Sequence, residues 1–148
     1  MSLETLKVLF KRDLLKLKSE IESYKEEASL WKVDKNITNS AGNLCLHIVG
    51  NLNAFIGVPF GETKYKRDRP AEFSLNNVSR SVLIKQIDST ILVVEKSLAT
   101  IKEADLENDS PIVLSREKST AIDYYLTHLV THLFYHLGQV NYHRRFFE

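Results

Sequence analysis

Histidines in two separate segments are the clearest candidates for chemistry in this sequence. His132 and His136 lie four residues apart in the stretch THLFYHLGQ, so on a helix their imidazoles project from nearly the same side, about 6 Å apart. His47 lies in a second, apolar segment much earlier in the chain. Three imidazole nitrogens from two helices can hold one metal ion and leave coordination positions open, as catalytic sites require. The spacing therefore indicates a metal site, and histidines satisfied by hydrogen bonds in a core are the alternative.

A polar stripe surrounds the earlier histidine. Asn43, His47 and Asn51 recur every four residues within an otherwise apolar segment. Burying such a stripe costs free energy unless each side chain finds a partner. We expect Asn43 or Asn51 to hydrogen-bond beside a metal-bound His47, as the residues behind metal ligands commonly do.

Other residues of the later segment are weaker candidates. His128 lies one turn before the HxxxH pair, and it could be a fourth ligand, a proton shuttle, or a packing or supporting residue, which we favour. Gln139 lies three residues after His136 and is expected either to hydrogen-bond a ligand histidine or bound water, or to make a helix–helix contact. His143 is predicted to be a surface residue. Cys45 is two positions from His47 and points away from it on a helix, which predicts a buried, inert thiol.

A basic loop follows the earlier histidine segment. Lys64–Arg69 contains four cations interrupted by Asp68. Arginine suits bidentate binding of carboxylates, so this loop could receive an anionic thiol cofactor or substrate. A solvated loop, or pairing with acidic neighbours, is the alternative.

Composition narrows the class of protein. The 148 residues predict a single domain over 1–148 with ordinary hydrophobic (43%) and charged (26%) fractions. The net charge of +1 gives no case for nucleic acid, and the single cysteine excludes an internal disulfide framework. The N-terminus lacks the apolar core of a signal peptide, and no apolar run approaches the roughly 18 residues of a membrane span. We therefore expect a cytoplasmic protein without a membrane segment.

Apolar residues recur in steps of three and four, which predicts an all-α fold of four helices. Gly57, Pro59 and Gly61 are expected to stop the second helix, and a long loop follows it. This loop has room to cross the bundle, so a simple up-down-up-down order is not assumed. The predicted helices run from Leu3 to about Tyr24, from about Ser40 to Phe55, from near Ser74 to about Ile101, and from a cap at Ser115 or Ser119 to about Phe146.

Two stretches carry a resemblance to a known family. GNLCLHIVGNLNAFIG, followed much later by HLVTHLFYHLGQVNYHRR with its HxxxHxGQ string, resembles the DinB-like superfamily, which includes the YfiT-type bundles. The loop YKRDRPAEF is similar to one subgroup without an assigned activity. The resemblance covers nearly the whole chain and implies a four-helix bundle in up-down-down-up order, often as a homodimer. It also implies that His47, His132 and His136 bind a divalent metal, with water in the open positions.

The same resemblance implies an activity. Superfamily members with assigned activities are thiol S-transferases, using glutathione, bacillithiol or mycothiol, or a mycothiol-dependent isomerase. A metal-dependent S-transferase, or a related hydrolytic enzyme, is therefore expected to act here on a small-molecule substrate, with a low-molecular-weight thiol. Three imidazoles suit zinc or nickel best, and iron is a further possibility. A non-catalytic stress protein that binds a metal or small ligand is the alternative.

Overall fold

The computed structural model describes residues 1–114 and 119–148, and the regular secondary structure of these ranges is helical. The helices are α1 (Leu3–Glu22), α2 (Ala41–Leu52), α3 (Val58–Gly61), α4 (Arg69–Ser74), α5 (Arg80–Ala99) and α6 (Ile122–Phe147). Short 3₁₀ turns cover Glu27–Trp31 and Glu103–Glu107. The described ranges contain two isolated β-bridges but no strand, so the predicted all-α fold is confirmed.

Four long helices, α1, α2, α5 and α6, bury their apolar stripes against one another. α1 packs against α5 and α6, and α2 packs against the same two helices. The predicted stripe of α1 is buried throughout, which explains why this helix forms despite its many charges. The core contains Leu6, Phe10, Leu14 and Leu17 of α1, Ile48 and Leu52 of α2, Leu83 and Ile87 of α5, and Leu126, Leu133 and Val140 of α6.

Side-chain contacts between the long helices indicate their relative directions. α1 and α6 run the same way, because their starts contact each other and so do their ends. α5 runs against α1, and α2 runs against α6. The contacts are Met1–Asp123 and Glu20–Arg144 for α1 with α6, Lys11–Glu95 and Lys18–Asp88 for α1 with α5, and His47–His132 and Phe55–Tyr125 for α2 with α6. These pairs favour the predicted up-down-down-up order.

The second helix continues beyond the predicted end at Phe55. A π-helical turn over Asn53–Gly57 joins α2 to α3, and the N–H of Val58 donates to the carbonyl of Asn53. Pro59 lies in the first turn of α3, where a missing N–H is tolerated. The predicted stop at Gly57 and Pro59 was therefore wrong, whereas Gly61, the third predicted stop, is the last residue of the helix. Glu62 follows it in a left-handed conformation with φ 52°.

This continuous helix also corrects our expectation about apolar length. Ala41–Gly61 spans 21 residues and contains an 18-residue window with a mean hydropathy of 1.4, so by length and composition alone it is long and apolar enough to cross a membrane. Its most apolar window is 61% buried inside the protein. A central core helix passes the same test, so this property does not indicate a membrane segment.

The long loop after α3 contains a helix that the sequence patterns did not predict. α4 begins after Asp68, whose carboxylate accepts a hydrogen bond from the N–H of Ala71. Ser74 ends this short helix and does not begin the third long one. α5 begins instead at Arg80, where the Ser79 hydroxyl accepts a hydrogen bond from the N–H of Val82.

The last helix also begins later than predicted. α6 starts at Ile122, and Ala121 occupies the capping position without a side-chain hydrogen bond. Ser119 is therefore not the cap, and Ser115 lies outside the described residues. The N–H of Ile122 donates to the carbonyl of Asn108, so the segment before α6 supplies an acceptor for the first N–H group of this helix.

Candidate metal centre

The three predicted histidines meet between α2 and α6. Nε2 of His132 lies 3.3 Å from Nε2 of His47 and 3.1 Å from Nε2 of His136. One ring nitrogen from each residue lies within 4.8 Å of the other two, close enough for all three to hold one ion. His47 is buried, whereas the two histidines of α6 are half-buried.

Glu72 of α4 contacts the far side of the His47 ring. Its Oε1 lies 3.0 Å from Nδ1 of His47. Because an ionised carboxylate only accepts hydrogen bonds, the proton of neutral His47 lies on Nδ1. The lone pair on Nε2 is then directed towards the other two histidines. A carboxylate behind a histidine is the usual partner of a metal-bound imidazole.

Arg67 holds this carboxylate with a two-point contact. Its Nε donates to Oε2 of Glu72 at 2.8 Å and its Nη2 donates to Oε1 at 2.9 Å. The guanidinium also lies over the ring of Phe55, 5.5 Å from the centroid. Arg67 thus compensates a buried carboxylate, which would otherwise be costly. The sequence allows two interpretations of the basic loop, and Arg67 follows the second one: it pairs with an acidic neighbour, Glu72, and is not left free for an anionic ligand.

The glycine at position 50 leaves room for the Glu72 carboxylate. A Cβ added to Gly50 of α2 would overlap with Oε2 of Glu72. The absence of a side chain therefore allows α4 to approach α2 closely enough for Glu72 to reach His47.

Asn43 supports α4 and does not contact the histidines. Its Nδ2 donates to the carbonyls of Glu72 and Leu75, at 3.0 and 2.8 Å, while its Oδ1 accepts a hydrogen bond from the Ser40 hydroxyl. The expectation that Asn43 hydrogen-bonds His47 is not met. Instead, Asn43 anchors the backbone of the helix that carries Glu72.

Asn51, one turn after His47, is 7% exposed. Its buried Oδ1 accepts no hydrogen bond from the described residues. Asn51 makes no hydrogen bond to His47 either. Glu72, which was not predicted, takes the place beside His47 that was expected for one of the two asparagines.

Gln139 contacts the third histidine. Its Oε1 lies 2.7 Å from Nδ1 of His136, so that nitrogen donates and Nε2 carries the lone pair. His128 is exposed, and its ring stacks on Tyr124 with centroids 6.5 Å apart. The structure therefore places Gln139 beside the site and His128 at its edge.

Burial lowers the pKa of all three histidines. The pKa of His132 falls to about 4, mainly because the ring is buried and in addition because His136 and His47 lie beside it. Burial also lowers the pKa of His47 and His136. The three imidazoles are consequently neutral near pH 7, which is the form that binds metals.

His143 is buried, contrary to the prediction of a surface position. Its Nε2 donates to the carbonyl of Lys32 at 2.8 Å, and its Nδ1 accepts a hydrogen bond from the Tyr24 hydroxyl at 2.6 Å. The segment after α1 folds over the end of α6, a contact that helical periodicity within α6 does not reveal. Cys45 is buried as predicted, and burial raises the pKa of its thiol to about 12.

Glu72 is the residue near the site that sequence analysis missed. The signal was present in the loop, because Asp68 followed by Arg69 and Pro70 is typical of a capped helix start. A helix starting there places Glu72 in its first turn. Nothing in the spacing, however, links that turn to His47.

Comparisons with known proteins agree with the fold. Residues 3–148 match the family described as "Protein of unknown function (DUF1572)". A crystal structure of a DinB-like protein from Bacillus cereus ATCC 10987 is similar to this chain with a TM-score of 0.75 and 13% identity, covering 97% of this chain and 91% of that one. No curated protein matches the sequence. The resemblance to the DinB-like superfamily is confirmed at the level of fold: the chain belongs to the DUF1572 family, which is a DinB-like family.

Proposed function

We propose that this protein is a metal-dependent enzyme whose divalent ion is bound by Nε2 of His47, His132 and His136. The supporting observation is the orientation of the imidazoles. Glu72 and Gln139 hold protons on Nδ1 of His47 and His136, so two Nε2 lone pairs face Nε2 of His132. A single proton on Nε2 of His132 can serve only one of those two contacts. A cation bound by all three nitrogens satisfies them together.

The donor set fits the ions expected from the sequence. Three neutral imidazoles suit zinc and nickel, and also iron. An ion with three protein ligands retains open positions, where it lowers the pKa of a bound thiol or water. The residues around it hold the ligand tautomers and keep the histidines neutral. These properties are compatible with catalysis at the ion.

We propose a thiol-dependent S-transferase, or a related hydrolytic enzyme, as the activity. The support is the membership in a DinB-like family together with the three-histidine cluster. The substrate is then a small molecule, and a low-molecular-weight thiol is the second reactant. Within the basic loop, Arg67 binds Glu72 and Arg69 lies over Phe73, 5.2 Å from its centroid. Lys64 and Lys66 are therefore the cations we propose for the carboxylates of such a thiol.

Metal binding is tested by replacing one ligand and one neighbour. We expect the wild-type protein to bind one equivalent of zinc or nickel, measured by elemental analysis after gel filtration. His132→Ala should lose that ion, because it removes the central nitrogen of the cluster. His128→Ala is the matched control and should retain it. Full retention of metal by His132→Ala would contradict the site.

Turnover distinguishes an enzyme from a binding protein. The metal-loaded protein is incubated with glutathione, bacillithiol or mycothiol and a panel of electrophilic acceptors, and thiol consumption is followed. Metal-dependent consumption that His132→Ala abolishes supports the transferase. Metal binding without consumption of any thiol favours the non-catalytic alternative.

A further inference from the structure

Two of the three histidines have a protein acceptor behind them, and the third does not. Glu72 accepts from Nδ1 of His47, and Gln139 accepts from Nδ1 of His136. Among the described residues, no group forms a hydrogen bond with Nδ1 of His132. When Nε2 of a neutral histidine binds a metal, Nδ1 carries a proton and becomes a donor. His132 therefore needs an acceptor in the metal-bound protein.

Asn51 supplies an acceptor that lacks a donor. Its side chain is more than nine-tenths buried, and its Oδ1 accepts no hydrogen bond from the described residues. An unsatisfied buried carbonyl is unfavourable, because it has lost its hydrogen bonds to water without gaining a partner. A polar side chain retained at such a position suggests a partner that forms under some other condition, such as metal binding.

The register of α2 and α6 places Asn51 opposite His128, one helical turn away from the level of His132. His47 contacts His132 and Phe55 contacts Tyr125, so the helices are antiparallel and Asn51 lies between these two contacts. Side chains on a helix lean towards its N-terminus. Because the helices are antiparallel, His132 leans towards the level of Asn51, and Asn51 leans towards the level of His132.

We infer that Asn51 is the positioning residue of His132: its Oδ1 accepts the hydrogen bond from Nδ1–H when the metal is bound. This assignment rests on the proposed metal site. It gives each of the three ligands one acceptor, namely Glu72, Asn51 and Gln139. The unsatisfied Oδ1 of Asn51 is then a cost of the metal-free protein that metal binding removes.

The inference predicts opposite effects on stability and on metal affinity. Asn51→Leu removes the unsatisfied carbonyl while keeping the branched shape of the side chain, so the metal-free protein should unfold at the same temperature or a higher one. The same variant removes the acceptor of His132, so its zinc affinity should fall about 10- to 100-fold. Asn51→Asp keeps an acceptor oxygen and should bind zinc at least 10-fold more tightly than Asn51→Leu.

The experiment uses the full-length chain, with Zn²⁺ as the probe. Zinc affinity is measured by competition with a chromophoric chelator for wild type, Asn51→Leu, Asn51→Asp and the control His128→Ala. Long-range ¹H–¹⁵N NMR of the zinc-loaded protein reports the Nδ1 proton of His132. We expect this proton to be protected from exchange in wild type and in Asn51→Asp but not in Asn51→Leu, with His128→Ala unchanged.

The outcomes separate this inference from the proposed function. If wild type binds no zinc, the metal site is wrong and the inference fails with it. If wild type binds zinc and Asn51→Leu binds it equally well, only the role of Asn51 is wrong. If Asn51→Leu lowers the unfolding temperature of the metal-free protein as well as its zinc affinity, Asn51 has a structural role and the inference is overturned. A weakened affinity in His128→Ala would assign the hydrogen bond of Asn51 to His128 instead.

Discussion

At the scale of single residues, hydrogen bonds on Nδ1 determine which nitrogen of a histidine is available. The carboxylate of Glu72 and the amide oxygen of Gln139 both accept, so His47 and His136 present Nε2. Glu72 is buried and charged, whereas Gln139 is exposed. A charged acceptor away from water makes the stronger hydrogen bond, so Glu72 should contribute more to metal affinity than Gln139 does.

Replacing the two acceptors tests this ranking. Glu72→Gln should lower zinc affinity by about 10- to 100-fold, because it weakens the hydrogen bond to His47 and leaves Arg67 without its counter-charge. Gln139→Leu should lower zinc affinity by a smaller factor, because water can replace the exposed amide as the acceptor for His136. Chelator competition measures both affinities, and an equal or larger loss in Gln139→Leu would contradict the ranking.

Burial of the histidines predicts a pH dependence of stability for the metal-free protein. The pKa of His132 is lowered to about 4 from an ordinary value of 6.5, so between these values the unfolded chain binds the extra proton. The free energy of unfolding should therefore be highest above about pH 7 and decrease as the pH falls from 6.5 towards 4. Urea unfolding in the presence of a chelator measures it, and His132→Gln should show a shallower decrease. Parallel curves for the two proteins would contradict the prediction.

At the scale of elements, the site depends on the close approach of α4 to α2. Asn43 holds the end of α4 through two carbonyls, and Gly50 leaves space for the Glu72 carboxylate. Neither residue contacts the three ligands by a hydrogen bond. The geometry of the metal centre is therefore sensitive to a helix that contributes no ligand.

A glycine pair tests that dependence. Gly50→Ala should displace the carboxylate of Glu72 and lower zinc affinity, although every ligand remains. Gly138→Ala is the matched control, because a Cβ there meets nothing within 4 Å. It should leave affinity unchanged and stabilise α6 by about 0.5–1 kcal/mol. Zinc competition and thermal unfolding are the measurements, and an unchanged affinity in Gly50→Ala would contradict the role of α4.

Sequence patterns predicted the long elements better than the short ones. Four apolar stripes predicted the bundle. The second helix was predicted to start at about Ser40, and α2 starts one residue later, where the Ser40 hydroxyl accepts a hydrogen bond from the N–H of Asn43. The extension through Pro59 could not be predicted, because the π turn that accommodates it has no periodic signature. α4 is too short to show an amphipathic stripe, and so Glu72 was missed. The spacing of His132 and His136 is local and could be recognised in the sequence. The contact of Glu72 with His47 depends on tertiary packing and could not.

At the scale of the whole molecule, the ion would link α2 to α6, two helices far apart in sequence. A ligand that binds the folded chain alone stabilises it according to its concentration relative to the dissociation constant. Added zinc should therefore raise the unfolding temperature of the wild-type protein. At a zinc concentration a hundredfold above that constant, the free energy of unfolding should increase by about 2.7 kcal/mol. Differential scanning calorimetry checks this, with His132→Ala as the variant that should not respond. An equal rise in both proteins would contradict a single shared site.

Assembly and compartment stay predictions at this scale. A cytoplasmic homodimer built from one domain per chain is what the sequence and the family resemblance lead us to expect. Light scattering coupled to gel filtration should give a mass near 34 kDa, about twice the 17.0 kDa of one chain. A mass of one chain at all concentrations would contradict the dimer while leaving the metal site untouched.

X-ray absorption at the zinc edge tests the central claim most directly. The zinc-loaded protein should show three imidazole ligands at about 2.0–2.1 Å from one ion per chain. In His132→Ala, the remaining zinc should show fewer imidazoles or be absent. Zinc bound by one imidazole or none in the wild-type protein would contradict the three-histidine centre.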